Sequence, residues 1–246
     1  MTEAMPARPE DPRPADPGPM DLVEIYYAPA DVFARRAEGG EFALPLIVLP
    51  IVLTVLYYAT QGAMQPVFDA EWARMLPKMM EKFPNLPPER IQGMKDFGAR
   101  WGGVGIFIGA GLLAPFVGGF VLWLVSRVVG AAVGFSQAVM IIVFSLYPLV
   151  VEQVVNAAQA LALPDSSITS RYSVSLGPAR FLDPTASAMT MALVGHIDLF
   201  TIWSAILVAI GLKVVARATT AQAATGAAAV WILGLLPGLI GALRAG

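Results

Sequence analysis

Residues 101–151 read WGGVGIFIGAGLLAPFVGGFVLWLVSRVVGAAVGFSQAVMIIVFSLYPLVV, and Arg127 is the one ionisable side chain of the Asp, Glu, Lys, Arg and His types among them. A helix crosses the hydrocarbon core of a bilayer in about 20 residues. The stretch is therefore too long for one crossing. It also lacks the polar face that a helix of a water-soluble domain needs. Arg127 and the small or polar cluster Gly130 to Gln137 mark the turn, which places spans two and three at 103–127 and 138–160.

Working outward, 42–62 and 218–243 are equally free of charge and supply spans at 42–62 and 221–242. Leu199 to Leu212 is short for a span, but it reaches Ala216 if Lys213 snorkels to the interface, giving span four at 198–216. A start near Ser187 is the alternative, and it would bury His196 and Asp198; the later start is preferred. Composition agrees: 57% of residues are hydrophobic and 14% charged, against about 25% charged in soluble domains, and the mean hydropathy is +0.66. The expected fold class is all-α, an integral membrane bundle of five transmembrane helices with short interfacial helices.

Around the membrane domain, 42–246, the chain is organised simply. Residues 1–20 hold six prolines and too little apolar surface to offset ordering entropy, so a disordered tail is expected. Residues 21–41 form an interfacial segment. Its helix at 29–38 opens on Pro29, stops at Gly39-Gly40, and is expected to turn Val32 and Phe33 to lipid and Arg35 and Arg36 to headgroups. The alternative is a plain linker with flanking charges. In the outer loop, 63–100, Phe68, Trp72, Met75, Met79 and Phe83 recur at helical spacing, with Pro77 expected to kink or split that helix. Short loops carry Arg127 and Lys213 with Arg217, and Arg35-Arg36 precede span one, all on one side of a five-span chain. The positive-inside rule makes that side cytoplasmic, with the N-terminus inside and the C-terminus outside. The long loop holds six basic and five acidic residues and weighs little in that count.

Chemistry is mostly excluded. Without cysteine and with one histidine, thiol nucleophiles, disulfides and transition-metal sites are not expected, nor is any cofactor. A net charge of −2 offers no basic stripe for nucleic acid. Gly134-Phe135-Ser136-Gln137-Ala138 has the outline of a nucleophile elbow, but Ser136 and His196 belong to opposite faces of the membrane, so no catalytic residues are assigned.

Two kinds of residue remain as candidates. Gly105, Gly109, Gly234 and Gly238 repeat at small-xxx-small spacing, which lets helices approach closely in lipid, within the bundle or against another copy. Glu152 lies 14 residues beyond Ala138, roughly 21 Å into span three, at the depth where His196 and Asp198 open span four. This intramembrane cluster could relay protons or hold a cation. Alternatively, Glu152 pairs with Arg171 or Arg180, and His196 and Asp198 cap span four.

Asp198-Leu199-Phe200-Thr201-Ile202-Trp203 followed by Gly211-Leu212-Lys213, Leu146-Tyr147-Pro148 in span three, and Pro29-Ala30-Asp31-Val32-Phe33 before span one resemble motifs of the Yip (Rab-interacting) family of five-span membrane proteins. The resemblance covers about 24–242 and implies a five-span bundle with a cytosolic N-terminus. It marks Tyr147, Pro148, Asp198, Trp203, Gly211 and Lys213 as family-motif residues. Eukaryotic members act in vesicle trafficking and bind prenylated small GTPases. This chain lacks the long N-terminal domain and the Asp-Leu-Tyr-Gly-Pro-type motif of that branch, and it looks like the bacterial branch, so small GTPase binding is not carried over. The expectation is a non-enzymatic scaffold or adaptor of a bacterial inner membrane, partnered by the lipid bilayer, other membrane proteins or itself. A small transporter or channel component using Glu152, His196 and Asp198 is the alternative.

Overall fold

Hydrocarbon offers no partner for a bare N–H or C=O, so an apolar run that crosses it must bond to itself as a helix. The computed structural model describes residues 16–183 and 186–245, and the regular elements among them are all helical. In chain order they are α1 (Asp21–Glu24), α2 (Pro29–Arg36), α3 (Ala43–Thr60), α4 (Gln65–Lys82), α5 (Pro88–Ile106), a π-helical stretch Phe107–Leu113, α6 (Ala114–Val128), α7 (Phe135–Ser145), α8 (Pro148–Ala162), α9 (Ala188–Gly195), α10 (Leu199–Val215), α11 (Thr220–Leu233) and α12 (Leu236–Ala245). Short 3-10 turns lie between α8 and α9. Four helical runs among the described residues are long and apolar enough to cross a membrane, 43–60, 88–128, 135–162 and 220–243; the bent pair α9–α10 is a fifth when its two helices are taken as one span. The tail expected over 1–20 falls, for 1–15, outside the described residues.

The connecting region 63–100 is largely helical, as its apolar spacing suggests. It is a helical hairpin, α4 followed by the first part of α5. The run 88–128 is 41 residues long, about 60 Å at 1.5 Å per residue, twice the hydrocarbon thickness. Its polar start projects from the bundle, with α4 held beside it by Lys95 and Asp69 at 2.6 Å. Pro77 does not split α4, which continues to Lys82. The π turn falls where the ring of Pro115 crowds the carbonyl of Gly111 four residues back, and the wider turn gives that carbonyl room.

The segment before span one departs most from expectation. Val32 and Phe33, expected to face lipid, are fully buried, as is Ile25. Phe33 meets Phe144 of α7 edge-on at 6.1 Å. Arg36, expected among headgroups, is 3% exposed, and its guanidinium lies over the Phe144 ring. The physical reason is neutralisation inside the segment. Arg36 Nε donates to Asp21 Oδ2 at 2.6 Å, and Arg35 donates to Asp21 Oδ1 at 2.6 Å and to Glu24. With its cations matched by α1 acids, α2 can enter the bundle. Two side chains of α7 fasten it there: Ser136 Oγ donates to the Gly40 carbonyl at 2.8 Å, and Gln137 Nε2 to the Ala37 carbonyl at 2.6 Å. Gly40 is at φ +59°, the left-handed turn that ends α2.

The core lies around α7, whose residues Ala138 to Ser145 are all buried between α6, α10, α2 and α3. Small residues make these approaches possible. A Cβ on Gly119 would sit 2.6 Å from Val139 Cγ2, and one on Gly211 would sit 2.7 Å from Ile141 Cγ2. Gly102 and Gly111 likewise receive Tyr57 and Pro50 of α3. The intramolecular contacts expected at Gly105 and Gly109 are not made, because nothing lies within 4 Å of a Cβ at either. Gly238 meets Ala192 at 3.8 Å, and Gly234 meets His196 Cε1 at 3.5 Å.

Candidate functional site

A helix broken within a bilayer frees backbone groups that lipid cannot satisfy. His196-Ile197-Asp198 separate α9 from α10, which meet at 50°. The break is sealed in part, with Asp198 Oδ2 left buried and unpartnered. Asp198 Oδ1 accepts from the Phe200 N–H at 2.9 Å. Thr201 Oγ1 accepts from the Asp198 N–H at 3.2 Å and reaches the carbonyls of His196 at 2.8 Å and Asp198 at 2.9 Å. Asp198 is 6% exposed and is backed by Gly177, where a Cβ would lie 3.4 Å from Oδ2. So α10 opens at Leu199 with Asp198 as its cap, and a separate eight-residue helix, α9, precedes it from Ala188.

His196 is occupied differently. Leu235 N–H bonds to Ile232, which leaves the Trp231 carbonyl near the end of α11 without its helical donor. His196 Nε2 pairs with that carbonyl at 2.9 Å, and the imidazole lies 4.7 Å from the indole centroid.

Glu152 stands on α8 and shares a cavity with residues of α3, α4 and α5. Asn156 stands one turn further along the same helix, with its Oδ1 buried and unpartnered. Among the described residues no hydrogen bond joins Glu152 to His196 or Asp198, so the three do not form the bonded relay considered from sequence. Nor does Glu152 pair with Arg180 or Arg171. Arg180 donates to Gln159 Oε1 at 3.0 Å, and the Arg171 guanidinium rests on Tyr172. Glu152 instead lines a cavity of about 280 Å³ together with Tyr57, Gln61, Phe68, Ala99 and Asn156. Sequence reasoning missed Asn156 and the cavity, since its walls come from helices up to about a hundred residues apart.

The motif residues hold the bundle together. Tyr147 is buried between α7 and α8; its hydroxyl donates to the Pro45 carbonyl at 3.1 Å, and its own carbonyl accepts from Tyr26 at 2.9 Å. Pro148 is the first residue of α8, where its missing N–H costs nothing. Trp203 packs edge-on against Tyr26 at 5.7 Å. Gly211 admits Ile141, and Lys213 is exposed near the end of α10.

No curated protein and no solved structure matches the chain significantly. The Yip1 domain model matches residues 23–241, a range that takes in the docked α2, all the spans and the break at His196 to Asp198. The chain therefore belongs to the Yip1 domain family.

Proposed function

We propose that this multi-pass membrane protein is a non-enzymatic scaffold or adaptor of a bacterial inner membrane, with its N-terminus cytoplasmic and its C-terminus outside, binding protein partners or lipids. The observation that carries this reading is how the reactive groups are used. Asp198 caps α10, His196 holds the end of α11, and Ser136 fastens α2. Groups committed to backbone bonds are structural rather than chemical. The faces turned outward are apolar, with Ile108, Val117 and Phe120 exposed along the second span, as suits contact with lipid or another helix. The orientation is supported by Gln222 Nε2 donating to the Gly130 carbonyl at 3.1 Å. That bond joins the two cation-bearing short loops at the α2 end.

Photocrosslinkers at Gly105 and Gly109, whose surroundings are open, test the scaffold in native membranes. Capture of a defined protein or a second copy, lost in Gly105→Leu, is the expected result; adducts with lipid alone on every outward face would discard the protein-scaffold reading. The Glu152 cavity favours a second reading, a small transporter or channel component. In reconstituted vesicles, a pH-dependent flux abolished by Glu152→Gln would select it.

A further inference from the structure

The cavity between α3, α4, α5 and α8 is lined by one carboxylate, several uncharged polar side chains and no cation. Tyr57 Oη donates to the Ala99 carbonyl at 3.3 Å. Thr60 Oγ1 donates to Leu56 at 2.7 Å. Gln61 Nε2 donates to Ala99 at 3.1 Å, and Gln65 Nε2 to Asp69 at 3.0 Å. Each of these four lining side chains thus spends a donor within the protein, although the Gln61 and Gln65 amides each keep a second N–H. Asn156 Oδ1 is buried with no partner. The Glu152 carboxylate has unfilled acceptor positions, and Gln153 adds an amide that can act either way. None of the lining residues is Lys or Arg. The remaining wall, with Leu53, Phe68, Ile106 and Leu149, is apolar.

A buried carboxylate without a cation and a buried carbonyl without a donor are both costly in low dielectric, and a ligand that supplies several N–H groups and a positive charge removes both costs at once. A primary ammonium meets that requirement; it is a compact cation with three donors. An alkyl chain attached to it matches the apolar wall. A phosphate would find no cationic side chain inside. We propose that this cavity is a binding site for a primary ammonium group carried on an apolar chain, supplied either by the ethanolamine headgroup of a phospholipid with its phosphate left at the mouth, or by a free long-chain amine. Glu152 and Asn156 hold the ammonium, and α4 covers it through Gln65 and Phe68. The site is independent of the scaffold reading, since a scaffold and a transporter could each contain it.

The full chain in phosphatidylcholine nanodiscs, titrated with dodecylamine as a mole fraction of lipid, is expected to show a saturable rise in Tm. Dodecyltrimethylammonium, equally charged but without N–H donors, is expected to give none. Glu152→Gln and Asn156→Leu should each raise the half-saturating mole fraction about tenfold or more, the loss of a charge-assisted buried hydrogen bond. Ala99→Phe, which fills the cavity without touching either polar group, should abolish saturation, so the proposal does not depend on one variant folding. Repeating the titration with phosphatidylethanolamine in the discs separates the sources. A weakened dodecylamine response identifies the lipid headgroup, and an unchanged one identifies the free amine. An equal response in the parent chain and all three variants, or an equal response to the trimethylammonium compound, would overturn the proposal.

Discussion

Asp198 offers the sharpest separation of structure from chemistry at the level of a single side chain. An N-cap needs an acceptor oxygen and not a charge, and Asn serves about as well as Asp. Asp198→Asn is therefore expected to leave stability within about 0.5 kcal/mol, whereas Asp198→Ala costs about 1–2 kcal/mol, both read from equilibrium unfolding in bicelles. A proton relay would instead fail in both variants. Asp21 behaves otherwise. It accepts from Arg35 and Arg36 while 2% exposed, and its loss strands a buried guanidinium. Asp21→Ala should cost about 3 kcal/mol or more in the same assay, and hydrogen exchange should then spread through α2. Little of this was legible beforehand. The cations of α2 were visible, but an amphipathic pattern does not say whether its apolar side meets lipid or protein. The deciding acid lies in a separate helix, 14 residues from Arg35.

Among the elements, the spans were legible because hydrocarbon tolerates nothing but long uncharged helices, and the residues state that directly. Which glycine faced which neighbour was not. Spacing arguments assume a regular helix, but the π stretch Phe107–Leu113 begins between Gly105 and Gly109 and turns the two out of the register that small-xxx-small pairing requires. The tight contacts fell to Gly102, Gly111 and Gly119 instead. The pair Gly211→Leu and Gly105→Leu measures this. The first drives a side chain into Ile141 and should lower stability by about 1–3 kcal/mol; the second should leave Tm within a degree or two while removing any partner crosslink at that face. The Pro-rich stretch 84–88 was also ambiguous. It ends α4, but Pro88 is the first residue of α5, a position where proline favours a helix. As for the site, Glu152 was found by its charge alone, while Asn156 and the cavity needed the packing of four helices.

For the molecule as a whole, the absence of native cysteine makes topology directly measurable. Cysteines placed singly at Val128 and Thr219 should react with a membrane-impermeant maleimide only from the cytoplasmic side, and those at Phe83 and Leu161 only from outside; the reverse pattern would invert the orientation. The tethering of the N-terminal segment also bears on how the chain is made. Tyr26 finds its carbonyl partner 121 residues later, on Tyr147, and its aromatic neighbour later still, on Trp203. At roughly 5–20 residues per second of synthesis, the leading segment waits on the order of ten seconds for a berth that only later insertion events create. During that interval its apolar side is open to chaperones and proteases, and its closure marks a finished protein, so a protease cut near Phe33, fully buried once docked, distinguishes nascent from mature chains in the cell.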